Sequence, residues 1–276
     1  MNYLSLIASG LILWGLNSCG HAADSPAAAT AASHTMDKQP VSLHPDRAAI
    51  LRDFNSWYAY HYRQIHLARH FEGLDTAAQP LERHAFLTRL ATGRYVAFQT
   101  LTQSGVPYYQ LHALTSPNPD IVRTIQQSAN TELRHEQMEG KPLPAYAFTD
   151  LDGRRYTPET TRGKLLVIKC WFIGCFACVQ EFPQLNRLVA RYPNRPDVLF
   201  VSLAFDQPQA LTDFLKKHAF QYAVVPQQRP YMEQQLGVDT YPTHILVDRT
   251  GRVAKVTNTI EDLEPTMAEL AAATPR

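Results

Sequence analysis

The chain has 276 residues, 45% hydrophobic and 18% charged, the composition of a folded globular protein with room for one large or two modest domains. Its 26 Lys and Arg against 25 Asp and Glu leave a formal net charge of +1, which gives no electrostatic reason to expect nucleic acid or a strongly charged partner. With only 4 cysteines it lacks the disulfide framework of a small secreted fold, so each cysteine needs its own explanation.

Residues 1–19 read as an export segment. Met1 to Leu16 is apolar, too short for a comfortable membrane span and placed where a signal peptide belongs. It carries no Lys or Arg ahead of the apolar run, so only the α-amino group is positive there. Leu16-Asn17-Ser18-Cys19 has the layout of a lipobox, with Cys19 the residue to be acylated, although Asn17 is an unusual occupant. The alternative is an ordinary signal peptide cut near Ala23, with Cys19 discarded. Both readings export the chain and place its dithiol in an oxidising compartment. Residues 20–42 are expected to be a flexible tether, because the Ala/Ser/Thr/Pro-rich stretch from His21 to Gln39 cannot bury a core. About 20 such residues span roughly 25 Å root-mean-square, enough to clear a lipid headgroup layer.

Residues 43–138 are expected to form a small helical and β-hairpin module. Pro45-Asp46 opens a helix in which Ile50, Phe54, Trp57, His61 and Ile65 make one apolar stripe. His66 and His70, four apart, have metal-ligand spacing, but three histidines in an aromatic-rich helix are more simply a partly solvated face. No metal site is assigned. A short helix is expected from Pro80 to Leu90. The alternating runs Gly93–Leu101 and Tyr108–Leu114, joined through Gln103-Ser104-Gly105, read as a hairpin. Pro119-Asp120 starts a further helix with Ile121, Ile125, Ala129 and Leu133 at helical spacing. The module's aromatic stripes are expected to be core rather than a partner surface.

Residues 139–276 alternate strands with helices, which indicates an α/β layer architecture. A hairpin turning at Asp152-Gly153 leads to the β-branched apolar run 164–172, a buried strand. Beyond Gly174 the pattern becomes helical, with Val179, Phe182, Leu185, Val189 and Tyr192 at three- and four-residue steps. Then come strand 198–205, helix 208–218, strand 222–225, helix 230–236, strands 243–248 and 252–257, and a closing helix 261–272. Cys175 and Cys178 sit where strand becomes helix. Unpaired N–H groups and the positive end of the helix dipole stabilise the first sulfur as its anion. That setting lowers a cysteine pKa from about 8.5 to roughly 3.5–7.5, and the thiolate is the species that attacks a disulfide. Cys178, nearly one turn later, is close enough to close a ring with Cys175. Cys170, inside the strand, reads as a packed, inert thiol.

Trp171-Phe172-x-x-Cys175-x-x-Cys178, Glu181-Phe182-Pro183 and Thr240-Tyr241-Pro242-Thr243 together resemble the thioredoxin-like fold, more narrowly the TlpA/ResA type within the AhpC/TSA superfamily. The resemblance covers roughly Glu139 to Ala273. It implies a central mixed sheet flanked by helices, and a bacterial envelope thiol–disulfide oxidoreductase, more often reductive, that needs no cofactor. It also implies protein thiols and disulfides as substrates, an upstream membrane or periplasmic electron donor, and membrane attachment through Cys19. By the same resemblance, Cys175, Cys178 and Glu181 are catalytic, while Trp171, Phe176, Ala177, Tyr241 and Pro242 meet the substrate. The Tyr241–Pro242 bond is expected cis, with Tyr241 pairing with substrate backbone as an added strand. Glu181, partly removed from water, would have a raised pKa and could exchange the proton of Cys178. Two departures stand out. Lys169 replaces the buried aspartate of thioredoxins proper, and Phe176-Ala177 lacks the common proline, which leaves the redox potential open.

Other chemistries fit less well. The spacing of Cys170, Cys175 and Cys178 matches plant-type [2Fe–2S] ligands, but no cysteine follows Cys178 to supply the fourth. A zinc or copper site would join the cysteine pair to His244. A thiol peroxidase of the peroxiredoxin type would want a threonine about four residues before its cysteine, where Trp171-Phe172 stand. The last alternative is a tethered binding module in which the dithiol is merely structural.

Overall fold

Short polar side chains decide where the first helices start. The computed structural model describes residues 41–115 and 118–273, so the export segment 1–19, Cys19 included, and most of the tether 20–42 lie outside the described residues. The tether's last two residues are not loose chain: β1 (Val41–Ser42) pairs with β4 (Tyr95–Gln103), Ser42 opposite Leu101. The single helix expected from Pro45 is two, α1 (Arg47–Ile50) and α2 (Phe54–Gln64). Asp53 breaks it: extended at φ −152° and ψ 168°, it accepts from the Ser56 N–H at 2.8 Å and caps a new helix.

After β2 (Glu72–Leu74), the residues expected to open a helix at Pro80 instead form β3 (Pro80–Leu81), paired with β2, and α3 runs Arg83–Ala91. The predicted hairpin is β4 and β5 (Val106–Ala113), turning through Ser104 and Gly105, both at positive φ. Helix α4 (Pro119–Met138) is capped by Asn118. The five strands order as β1-β4-β5-β2-β3. Trp57, Phe86, Phe98 and Tyr109 are wholly buried there, so these aromatics are core, while Tyr58 and Tyr62 stay exposed. His61 stacks on Trp57, His66 bonds the Arg63 carbonyl and His70 faces Glu72, so the three histidines do not converge.

The second half begins with the small hairpin β6 (Phe148–Thr149) and β7 (Arg155–Tyr156), its turn made by Gly153 at φ +81°. Then follow α5 (Pro158–Thr161), β8 (Leu165–Trp171), α6 (Phe176–Gln180), α7 (Phe182–Ala190), β9 (Val198–Ala204) and α8 (Pro208–Leu215). They are followed by β10 (Ala223–Val225), β11 (Thr243–Val247), β12 (Val253–Thr257) and α9 (Ile260–Ala272). The helix expected over 230–236 is one π-helical turn, Tyr231–Gln235. The sheet order is β10-β9-β8-β11-β12, with β10, β9 and β8 parallel and β11 and β12 antiparallel. This is the thioredoxin-like mixed sheet that the sequence predicts. Every residue of central β8 is buried: Leu165, Val167 and Trp171 pack with Leu185 of α7 and Leu263 of α9, while Leu166, Ile168 and Cys170 pack on the opposite face. Each such aliphatic side chain contributes about 1.5–3 kcal/mol. The two halves join where α4 ends: Glu139 accepts from the Val256 N–H at 3.0 Å and faces Lys255 at 3.2 Å.

Candidate active site

The site is built where β8 leaves the sheet. The turn after Trp171 is held by the Cys175 N–H on the Phe172 carbonyl (3.0 Å) and by the Ile173 N–H on Asp206 Oδ2 (2.9 Å). Cys175 caps α6, its sulfur accepting from the Cys178 N–H at 3.2 Å. The two cysteines are joined as a disulfide with Cα atoms 5.3 Å apart. Pro183 has no N–H to continue the ladder, and the active-site helix steps at Glu181 from α6 into α7. Cys175 keeps 8% exposure while Cys178 has none, so a partner can reach only the first sulfur.

Phe176 and Ala177, both expected to meet substrate, are exposed beside the disulfide, and Phe176 is 77% open. An apolar ring so open next to a reactive sulfur is suited to a polypeptide partner. The Tyr241–Pro242 bond is cis, as expected. Thr243 stands opposite Cys170 in the β11–β8 register, so the Tyr241–Pro242 loop and the turn to Cys175 leave the sheet at the same end. Tyr241 is half-buried, edge-on to Phe172 and Phe205, while Pro242 is buried.

Trp171 requires a correction. It was expected at the substrate face, but its side chain has no exposure and sits among Phe182, Phe214 and Phe220. Alternation along β8 turns it into the layer beneath α7, so it supports the active-site helix from below. Cys170 is free and wholly buried, and burial pushes its thiol up to about 12 despite the charge of Lys169, which disfavours the reactive thiolate.

The largest addition to the sequence reading lies under the helix step. Lys169 Nζ is 2.5 Å from Glu181 Oε2, and His244 Nε2 donates to the same oxygen at 3.0 Å. Lys169 and His244 are directly opposed on β8 and β11, neither has any exposure, and Glu181 retains 16%. Burial alone would raise the Glu181 pKa, but the hydrogen bond from His244 and the charge and hydrogen bond of Lys169 outweigh it and hold the carboxyl below its usual range. The expected raised pKa is therefore reversed. Burial likewise lowers the pKa of His244, leaving a neutral ring, and lowers that of Lys169 despite the opposing pull of Glu181. The signal available in the sequence was Lys169 itself, because a lysine inside a fully apolar strand demands an anionic partner. Glu181 engages His244 Nε2, and only the buried Nδ1 of that ring is left open. Among the described residues no group of three or more His, Cys, Asp or Glu gathers as a metal site.

A mixed sheet of this order, a disulfide capping the helix after the central strand and a cis-proline loop at the same end define a thioredoxin-like dithiol–disulfide protein. Residues 138–273 match the family model described as Redoxin. The second half of the chain is thus similar to the redoxins, and its curated relatives are of the ResA type. It is 29% identical over 122 residues to the thiol-disulfide oxidoreductase ResA of Bacillus thuringiensis, covering 44% of this chain and 70% of that one. To the ResA of Geobacillus thermodenitrificans it is 26% identical over 129 residues, covering 45% and 74%. A solved thiol-disulfide oxidoreductase from Bacteroides fragilis superposes with a TM-score of 0.43 at 21% identity, over 47% of this chain and 99% of that one.

Proposed function

We propose that the protein is a thiol–disulfide oxidoreductase that reduces disulfides of protein partners in the cell envelope. The observation that carries this reading is the Cys175–Cys178 pair itself: one sulfur is reachable at a helix cap, and its mate is buried one turn on. In the reduced protein the Cys175 thiolate attacks one sulfur of a partner disulfide, and the other leaves as a thiolate. Cys178 then attacks Cys175 Sγ, the partner's second sulfur departs, and two electrons have passed from the dithiol to the partner. Exposed Phe176 and Ala177, with the backbone of Tyr241 before Pro242, supply the binding face. An electron donor in the envelope restores the dithiol.

The division into an export segment, a tether, the 43–138 module and the redoxin half belongs to this reading, as does attachment through Cys19. An acylated Cys19 would hold the enzyme at a membrane surface, and among the described residues no helix is long and apolar enough to cross one. The test is turnover. With dithiothreitol as donor, the protein is expected to accelerate reduction of insulin disulfides, and Cys175→Ser to lose the effect. A wild-type rate equal to dithiothreitol alone overturns the reading.

A further inference from the structure

Three ionisable side chains meet at one carboxylate oxygen, that of Glu181 three residues beyond Cys178, and their bonding dictates their charges. Glu181 Oε2 meets Lys169 Nζ and His244 Nε2 at once, so an ionised carboxylate bonded to both accounts for the contacts without an unpaired buried charge. Since the carboxylate can only accept, the neutral imidazole donates through Nε2. Its Nδ1 is left buried with no hydrogen-bond partner. The set of ammonium, carboxylate and neutral ring has no net charge, which a low-dielectric site tolerates best.

We propose that Lys169 and His244 are positioning residues for disulfide exchange, acting through Glu181: they hold its carboxylate ionised and aimed, so that it accepts the proton Cys178 gives up. This inference rests on the dithiol reading above. When Cys178 resolves a mixed disulfide, its Sγ bonds to Cys175 Sγ, the partner's sulfur leaves, and the Cys178 proton passes to Glu181 and on to water. Glu181 lies three residues beyond Cys178, one turn along the stepped helix. The reverse step, in which a thiol reductant opens the disulfide and Cys178 leaves, returns a proton to that sulfur through the same carboxylate, which must first take it from water.

The groups that bear on Glu181 are Lys169 from β8, His244 from β11 and the buried, unpartnered hydroxyl of Tyr222 ahead of β10, with Glu261 and Glu264 of α9 acting on His244 and Tyr222. Lys169 is the principal cation among them. Without it the carboxylate keeps its burial and loses its counter-charge, so its pKa rises into the neutral range.

The measurement is the rate at which dithiothreitol reduces the oxidised protein between pH 6 and 8.5, corrected for the reductant's thiolate fraction. The wild type is expected to show no step in that window from Glu181. Lys169→Met is expected to show one, about tenfold faster at pH 6 than at pH 8.5, because a protonated Glu181 now supplies the departing Cys178. Glu181→Gln removes the step, and Lys169→Met with Glu181→Gln matches Glu181→Gln alone, the non-additivity of a residue that acts through another. His244→Gln, which keeps a donor to Oε2, gives a smaller step of the same sign and serves if Lys169→Met does not fold. A Lys169→Met profile that superimposes on the wild type, or a double variant that sums both effects, overturns the inference. If wild-type protein turns over insulin disulfides and these profiles superimpose, the triad role alone fails; if it has no Cys175-dependent turnover, the earlier reading fails.

Discussion

A Cys178→Ser variant accumulates partner proteins as covalent mixed disulfides on Cys175, and a Cys175→Ser variant captures none. The asymmetry follows from exposure. Cys175 keeps 8% of its surface open and Cys178 is sealed beneath it, so a partner's sulfur meets the first and cannot reach the second. Removing the resolving thiol stops the reaction after the first exchange and leaves the partner attached. Removing Cys175 leaves only a buried thiol, and exchange falls to background. The check is recovery of the conjugates on a non-reducing gel, their release by dithiothreitol and identification by mass spectrometry. Equal yields from the two variants would remove the assigned roles.

Trp171→Ala lowers stability by about 3–5 kcal/mol, the range for deleting a large buried aromatic side chain. The ring sits edge-on to Phe182 at 5.0 Å and to Phe220 at 5.9 Å, wholly buried in the layer between β8 and the active-site helix. In denaturant the midpoint moves to lower concentration. Disulfide exchange per folded molecule, measured well below that midpoint, is retained, because the side chain meets no substrate. A variant of unchanged stability with weakened partner binding would instead return Trp171 to the binding face.

Local chemistry was legible in the sequence, and long-range pairing was not. Cys175, Cys178 and Pro183 could be placed because strand end, helix cap and helix break are written within a dozen consecutive residues. The sheet followed from the apolar runs at 164–172 and 198–205. Trp171 was misplaced because β8 is buried on both faces, and alternation carries no polarity signal in such a strand. Glu181 was given the wrong direction of pKa shift because its partners arrive from strands distant in the chain: only the β8–β11 register sets Lys169 beside His244. Lys169 lies inside an otherwise apolar strand, and its need for a counter-charge is the one local mark of the anionic partner. In the first half β1, β2 and β3 escaped because two or three residues are too few to show a period. The break before α2 had a local mark, Asp53 followed three residues later by Ser56, overridden by an apolar stripe that runs straight through it.

The central claim is that Cys175, capping α6 with the Cys178 N–H 3.2 Å from its sulfur, is a thiolate at neutral pH once reduced. Alkylation by iodoacetamide measures this directly, with the reduced Cys178→Ser protein used so that Cys175 is the reacting thiol of the site. The rate is expected to rise with a midpoint between about pH 3.5 and 7.5 and to be level by pH 8. A midpoint near 8.5, that of an ordinary cysteine, would contradict the account.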